Sequence, residues 1–207
     1  MTVVDAAPRV STLVELLQVR ANRLIDKPCL RFLADGEDEQ HCLTYEQLDL
    51  RARAFAGRLV SIAAPGDRAV LVYPPGADFL VAFCGCVYAG VIAVPVAPPV
   101  DGVTVSRLAG VVRDSQPTCV LTDTALADIL CAAADPTQPR VLTLDYGTPA
   151  EPADWLPGRI DPDQIAMLQY TSGSTRVPRG VMVTHENLLS NLNWLKAGMR
   201  IPEEQDV

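Results

Sequence analysis

The 207-residue chain has only two histidines, His41 and His185, and no Cys-x-x-Cys pair among its six cysteines (29, 42, 84, 86, 119 and 131). A zinc centre on the usual Cys/His spacings is therefore not expected. Disulfides are not expected either. The N-terminus MTVVDAAPRV places Asp5 early and has no sustained apolar core, so nothing there reads as a secretory signal. Most of the cysteines lie in apolar runs, where a free thiol behaves as a small hydrophobe, and they read as reduced core residues of a cytoplasmic protein. Long apolar runs are missing too. The longest apolar stretch, residues 77–100, is interrupted by Asp78, Gly85, Gly90, Pro95, Pro98 and Pro99. A membrane span needs about 20 predominantly apolar residues, so the expectation is no transmembrane segment but a buried helix followed by a buried strand.

Positive charge is scarce. Seventeen Lys and Arg against 25 Asp and Glu leave a net charge of −8, which gives no general pull toward nucleic acid or anionic lipid. Hydrophobic residues at 49% and charged residues at 20% exclude a disordered tail. The 17 prolines are scattered and mark turns and strand ends rather than a linker.

What is present alternates. Thr12 with Glu15 reads as a capping box opening a helix whose inner face carries Leu13, Leu16, Leu17 and Leu24. Runs at 29–34 and 41–43, separated by Asp35-Gly36-Glu37-Asp38, predict a hairpin. Thr44 and Gln47 form a second capping box, ahead of a helix with Leu48, Phe55 and Leu59 inward, closed by Pro65-Gly66. Strands are then expected at 69–73, 91–96, 119–122, 141–144, 165–169 and 180–183. Helices are expected at 77–90, 103–114 and 125–134. Residues 145–163, rich in Pro, Gly and Asp, read as a long surface loop. Thr184 is an N-cap for a last helix carrying Leu188, Leu192, Leu195 and Met199, with Trp194 and the leucines read as core. The alternation predicts an α/β fold of mostly parallel sheets flanked by helices.

One segment carries chemistry. Residues 170–181, Tyr-Thr-Ser-Gly-Ser-Thr-Arg-Val-Pro-Arg-Gly-Val, lie between two apolar runs. They present the hydroxyls of Thr171, Ser172, Ser174 and Thr175, the glycines Gly173 and Gly180, and the cations Arg176 and Arg179. Glycines let a backbone approach a ligand and turn its N–H groups inward, hydroxyls add donors, and an arginine fork grips two phosphate oxygens. Ser, Thr and Gly also populate ordinary surface loops, so composition alone leaves both readings open. No Gly-Lys-Ser/Thr makes it a Walker loop, and no Gly-x-Gly-x-x-Gly makes it a dinucleotide fingerprint.

The segment resembles the phosphate-binding signature of the adenylate-forming superfamily, Tyr-Thr-Ser-Gly-Ser/Thr-Thr-Gly-x-Pro-Lys-Gly-Val. It matches at residues 170–175, Pro178, Gly180 and Val181, and departs at Arg176 for Gly and Arg179 for Lys. Arg for Lys keeps the charge but spreads it into a planar fork. Leu168-Gln169, Arg-Val-Pro-Arg at 176–179, Tyr-Pro-Pro-Gly at 73–76 and Phe-Cys-Gly-Cys-Val-Tyr-Ala-Gly-Val-Ile-Ala-Val-Pro at 83–95 resemble actinobacterial fatty acyl-AMP ligases. Leu-Thr-Tyr-Glu-Gln-Leu at 43–48 is similar across the superfamily.

The resemblance implies ATP-dependent activation of a long-chain fatty acid to an acyl-adenylate, with Mg²⁺ sharing the phosphate charge. The acyl group would then pass to an acyl carrier protein, often of a polyketide synthase. It also implies that Thr171, Ser172, Gly173, Ser174, Thr175, Arg179 and Gly180 contact the nucleotide. The substrate carboxylate is the nucleophile, so Cys84 and Cys86 need no catalytic role, and His185 reads as a packing or capping residue. The magnesium and ribose motifs and the adenylation lysine are expected beyond residue 207, so no catalytic residue is expected within this chain. Residues 1–207 then correspond to an incomplete N-terminal part of the large AMP-binding domain. The same residues suit a piece of an acyl-CoA synthetase or peptide-synthetase adenylation domain, or a truncated non-catalytic remnant.

Overall fold

Thr12 opens the first helix, α1 (Leu13–Arg23), by accepting the amide of Glu15, in the computed structural model, which describes residues 10–33, 36, 39–132, 139–143, 158–171 and 178–200. The reciprocal half of the expected capping box is not made. The Glu15 carboxylate turns one residue outward and accepts both the amide and the hydroxyl of Ser11, at 2.6 and 2.8 Å. The inner face is also rotated from the leucine stripe that the spacing predicts. Val14 and Ala21 are the buried positions, with Leu13 and Leu17 packed beside them.

Strands β1 (Pro28–Leu33) and β2 (Glu39–Thr44) pair antiparallel as the expected hairpin and form a two-stranded sheet of their own. Thr44 then caps α2 (Tyr45–Leu59) through a full capping box with Gln47, and Leu48, Phe55 and Leu59 are buried as predicted. The remaining elements are β3 (Arg68–Val72), α3 (Ala77–Ala89), β4 (Ile92–Val96), α4 (Gly102–Ser115), β5 (Cys119–Thr122), α5 (Thr124–Ala132), β6 (Arg140–Thr143), β7 (Ile165–Tyr170), β8 (Gly180–Thr184) and α6 (His185–Gly198). Gly90, at φ +69°, ends α3 in the left-handed conformation that favours glycine.

Six strands form the main sheet in the order β6-β5-β3-β4-β7-β8, parallel throughout except that β8 runs antiparallel to β7 at the edge. Alternate residues of the central strands feed two cores. Ala69, Leu71, Ala93, Cys119 and Leu121 face α1, α2 and α3, whereas Val70, Val72, Val94 and Val120 face Val111 of α4 and Leu130 of α5. Covering on both faces explains why β3 and β5 read as unbroken apolar runs; each such fully buried aliphatic side chain contributes roughly 1.5–3 kcal/mol. Inside the first core the Tyr88 hydroxyl donates to Asp49 Oδ1 at 2.6 Å, and Arg53 Nε lies 2.8 Å from Asp49 Oδ2, so α2 and α3 share a polar tie.

The coverage thins toward the β8 edge. In β7 only Ala166 is buried, so the 165–169 run is not covered on both faces as its composition suggests. In α6 the expected core face is only partly met: Leu188 packs against the first core, but Leu192, Leu195, Trp194 and Met199 are exposed, and His185 is the one fully buried residue of the helix. The predicted turn at Asp35, most of the 145–163 loop and the end of the helix expected at 125–134 lie outside the described residues.

Candidate functional site

Residues 171–179 connect two residues that pair across adjacent strands. Tyr170, the last residue of β7, stands opposite Gly180, the first of β8. Because β7 runs parallel to β4, the loop leaves the sheet at the carboxyl edge shared by β3, β4, β5 and β7. That edge is where open α/β sheets bind ligands. Of the predicted contact residues, Thr171 and Arg179 are exposed at the two ends of the loop, and Gly180 is half-buried beneath the Tyr170 ring. Among the described residues no hydrogen bond or ion pair occupies the Arg179 guanidinium. Ser172, Gly173, Ser174 and Thr175, with Arg176, lie outside the described residues.

Both loop ends rest on α4. The Tyr170 hydroxyl donates to Asp114 Oδ2 at 2.6 Å, and burial, followed by the neighbouring Asp114 carboxylate, holds that phenol above its ordinary value. Arg107 Nη2 donates to the Tyr170 carbonyl at 3.4 Å. Pro178 lies against Gly110, where an added Cβ would stand 3.0 Å from the proline Cγ. Sequence reading singled out none of these α4 residues, because their partners are more than 50 positions away and carry no local signature.

Beside Tyr170 opens a cleft of about 270 Å³ at the ends of β4 and β7. Val96, Val111 and Met167 give it apolar walls, while Thr104, Arg107 and Gln169 bring polar groups to it. Such a cleft suits a ligand with an apolar body and an anionic or hydrogen-bonding head.

The other candidate groups are structural. His185 is buried, its Nδ1 accepts the amide of Leu13 at 3.3 Å, and burial lowers its pKa from the usual 6.5. All six cysteines are free. Burial pushes Cys29 and Cys119 up to about 11 and Cys84 to about 12, and Cys86 well above its ordinary range, so these four are unreactive thiols at neutral pH. Among the described residues no group of three or more His, Cys, Asp or Glu is placed to hold a metal ion, and no helix is long and apolar enough to cross a membrane.

Comparison with known proteins gives this geometry a family. Residues 17–207 match the AMP-binding enzyme family. The chain is 37% identical over 198 residues to the medium-chain-fatty-acid–[acyl-carrier-protein] ligase JamA of Moorena producens, covering 91% of this chain and 33% of that protein. It is 39% identical over 175 residues to the long-chain-fatty-acid–AMP ligase FadD32 of Mycolicibacterium smegmatis, covering 81% of this chain and 28% of that one. The chain thus spans about a third of the length of the curated relatives it matches. Among solved structures, a fatty acid AMP ligase from Legionella pneumophila superposes with a TM-score of 0.86 at 36% identity, covering 95% of this chain and 34% of that one. A fatty acyl-adenylate ligase from the same organism, in complex with acyl adenylate and pyrophosphate, superposes at 0.82 with 36% identity, covering 94% and 34%.

Proposed function

The chain belongs to the AMP-binding enzyme family, and from that membership we propose that it supplies the phosphate-binding loop of an enzyme that activates a long-chain fatty acid with ATP. In this reading residues 1–207 are the N-terminal part of the large AMP-binding domain. The acyl-adenylate formed is passed to an acyl carrier protein, as in a polyketide synthase, in the cytoplasm. Support comes from relatives named as fatty acid–AMP and carrier-protein ligases and from the fold match to a ligase holding acyl adenylate and pyrophosphate.

The observation that carries the reading is the placement of the loop. The two ends of a segment rich in hydroxyls and glycine, Thr171 and Arg179, are exposed at the carboxyl edge of the sheet, where Tyr170 borders an apolar-walled cleft. The residues suit a nucleotide's phosphates. Arg179 offers a planar fork, Thr171 a hydroxyl, and Gly180 an amide at a position where a side chain would strike the Tyr170 ring. Ser172, Gly173, Ser174 and Thr175 are proposed to contact the same phosphates. Among the described residues no cluster of His, Cys, Asp or Glu is placed to hold magnesium.

The reaction is an in-line displacement: a fatty-acid carboxylate oxygen bonds to the α-phosphorus of ATP as the bond to pyrophosphate breaks. Because the substrate is the nucleophile, this chain contributes no attacking group; it positions the phosphates and offsets their charge as pyrophosphate leaves. Incubating the complete enzyme that carries this chain with a long-chain fatty acid and ATP, with and without coenzyme A, tests the proposal by separation of labelled products. Acyl-adenylate with little acyl-CoA is expected. Efficient acyl-CoA formation would make the enzyme an acyl-CoA synthetase, and no fatty-acid-dependent adenylate would contradict the reading.

A further inference from the structure

Helix α4 is capped at its start and tied to the sheet at its end, independently of the loop it supports. At its N-terminus Asp101 accepts the amide of Thr104 at 2.8 Å, and the Thr104 hydroxyl accepts the amide of Asp101 at 3.0 Å. At its C-terminus Arg68, from β3, donates to the carbonyls of Ser115 and Gln116 at 2.9 and 2.8 Å, which satisfies two end groups that a helix leaves open. Val111, fully buried between these ends, packs against the central strands.

Residues 107, 110 and 114 are three and seven apart and so share one face of this anchored helix. All three meet the stems of the 171–179 loop. Arg107 reaches the Tyr170 carbonyl, Gly110 receives Pro178, and Asp114 accepts the Tyr170 hydroxyl. The Tyr170 ring in turn roofs Gly180, with three of its atoms 3.0–3.2 Å from where a Cβ would stand. One helix face therefore holds both the last residue of β7 and, through a single aromatic ring, the first residue of β8.

We infer that Asp114 is a positioning residue for polyphosphate binding by the loop: by holding the Tyr170 phenol it fixes where Thr171 leaves β7 and where Gly180 enters β8. This rests on the phosphate-binding reading proposed above. Asp114 acts through Tyr170 and has no contact with substrate. The 2.6 Å bond is short and charge-assisted, but it lies on an exposed surface, so its effect falls on loop geometry more than on global stability. Electrostatics alone would act with the opposite sign. A carboxylate near a polyphosphate site repels it, so deleting Asp114 would tighten binding if charge were its only influence. Weakened binding on deletion is the mark of positioning.

Tripolyphosphate, the phosphate chain of ATP without ribose or base, is titrated into the complete enzyme that carries this chain while the selectively labelled backbone amides of Thr171 and Gly180 are followed by NMR. Asp114→Ala and Tyr170→Phe are each expected to raise the dissociation constant about fivefold, as loss of one exposed bond to a charged group implies. The double variant is expected to be no weaker than either single one, because both remove the same bond. Asp114→Asn, which keeps an acceptor and loses the charge, stays within about twofold of the parent or binds more tightly. Unshifted β3 amides in each variant show that the sheet is intact. Tripolyphosphate binding by Asp114→Ala at parental strength or better, or additive losses in the double variant, overturns the inference alone. A parent enzyme whose Thr171 and Gly180 amides do not respond to tripolyphosphate overturns the phosphate-binding reading and the inference with it.

Discussion

His185 Nδ1 accepts the amide of Leu13 at 3.3 Å, so the first residue of the last helix satisfies an open N–H at the start of the first. The bond requires the neutral imidazole, with its proton on Nε2. Burial lowers the His185 pKa below its ordinary 6.5, so between the two values the unfolded chain binds more protons than the folded one. Stability from this group is therefore complete above about pH 6.5 and lost as pH falls toward the lowered folded value. Glu15 and Asp101 act in a lower window, because hydrogen bonds hold both carboxylates below their ordinary values. The urea midpoint is expected to fall between pH 7 and 5.5 in the parent and to stay level in His185→Asn, which keeps an acceptor and does not titrate. An equally steep fall in His185→Asn would assign the titration elsewhere, with His41→Gln as the control.

Gly85 in α3 faces Phe55 in α2 so closely that an added Cβ would stand 2.5–2.8 Å from three Phe55 carbons, the Phe55 Cβ among them. Alanine would gain up to about 1 kcal/mol of helix propensity there. The overpacking opposes it with roughly 1–3 kcal/mol, because both helices are held against the sheet. Gly85→Ala is thus expected to lower the thermal midpoint, and Gly85→Ala with Phe55→Leu to recover part of it. A single variant as stable as the parent would show that the two helices separate freely.

Exposed apolar side chains concentrate on the last strand and helix. Val181 and Met182 on edge strand β8, with Trp194, Leu192, Leu195 and Met199 on α6, face solvent. An open strand edge next to apolar surface favours self-association. The 207-residue chain is expected to run larger than a monomer in size-exclusion chromatography at high concentration, and Met182→Lys with Trp194→Lys to move it toward monomer. A sharp monomer peak for the parent, with cooperative unfolding and no excess dye binding, would refute this.

Much of the fold is legible from local signals. The Thr44–Gln47 capping box, the Gly90 helix end, and the apolar runs at 69–73 and 119–122 each carry their own cause, and the elements formed where those causes lie. Expectations erred where periodicity assumed a covering partner. Leu192 and Leu195 have helical spacing, yet no described element covers them, and Ile165 and Met167 sit near the thin side of the sheet. The α1 face turned from Leu16 to Val14 and Ala21 because packing against α2 and α3, rather than the leucine count, set its rotation. At the site, composition marked the loop itself. Asp114, Gly110 and Arg107, which hold its stems, were illegible because only the crossing of α4 over the sheet brings them to residues 170–180.

The central claim is that Arg179 and its loop hold the phosphates of ATP during acyl-adenylate formation, and fatty-acid-dependent exchange of labelled pyrophosphate into ATP by the complete enzyme tests it most directly. Loss of one cation that acts mainly on charge developing in the transition state costs roughly 2–4 kcal/mol, so Arg179→Ala is expected to slow exchange by about 30- to 1,000-fold. Arg179→Lys, which keeps the charge without the fork, is expected to restore much of the rate. Exchange by Arg179→Ala at the parental rate would contradict the claim.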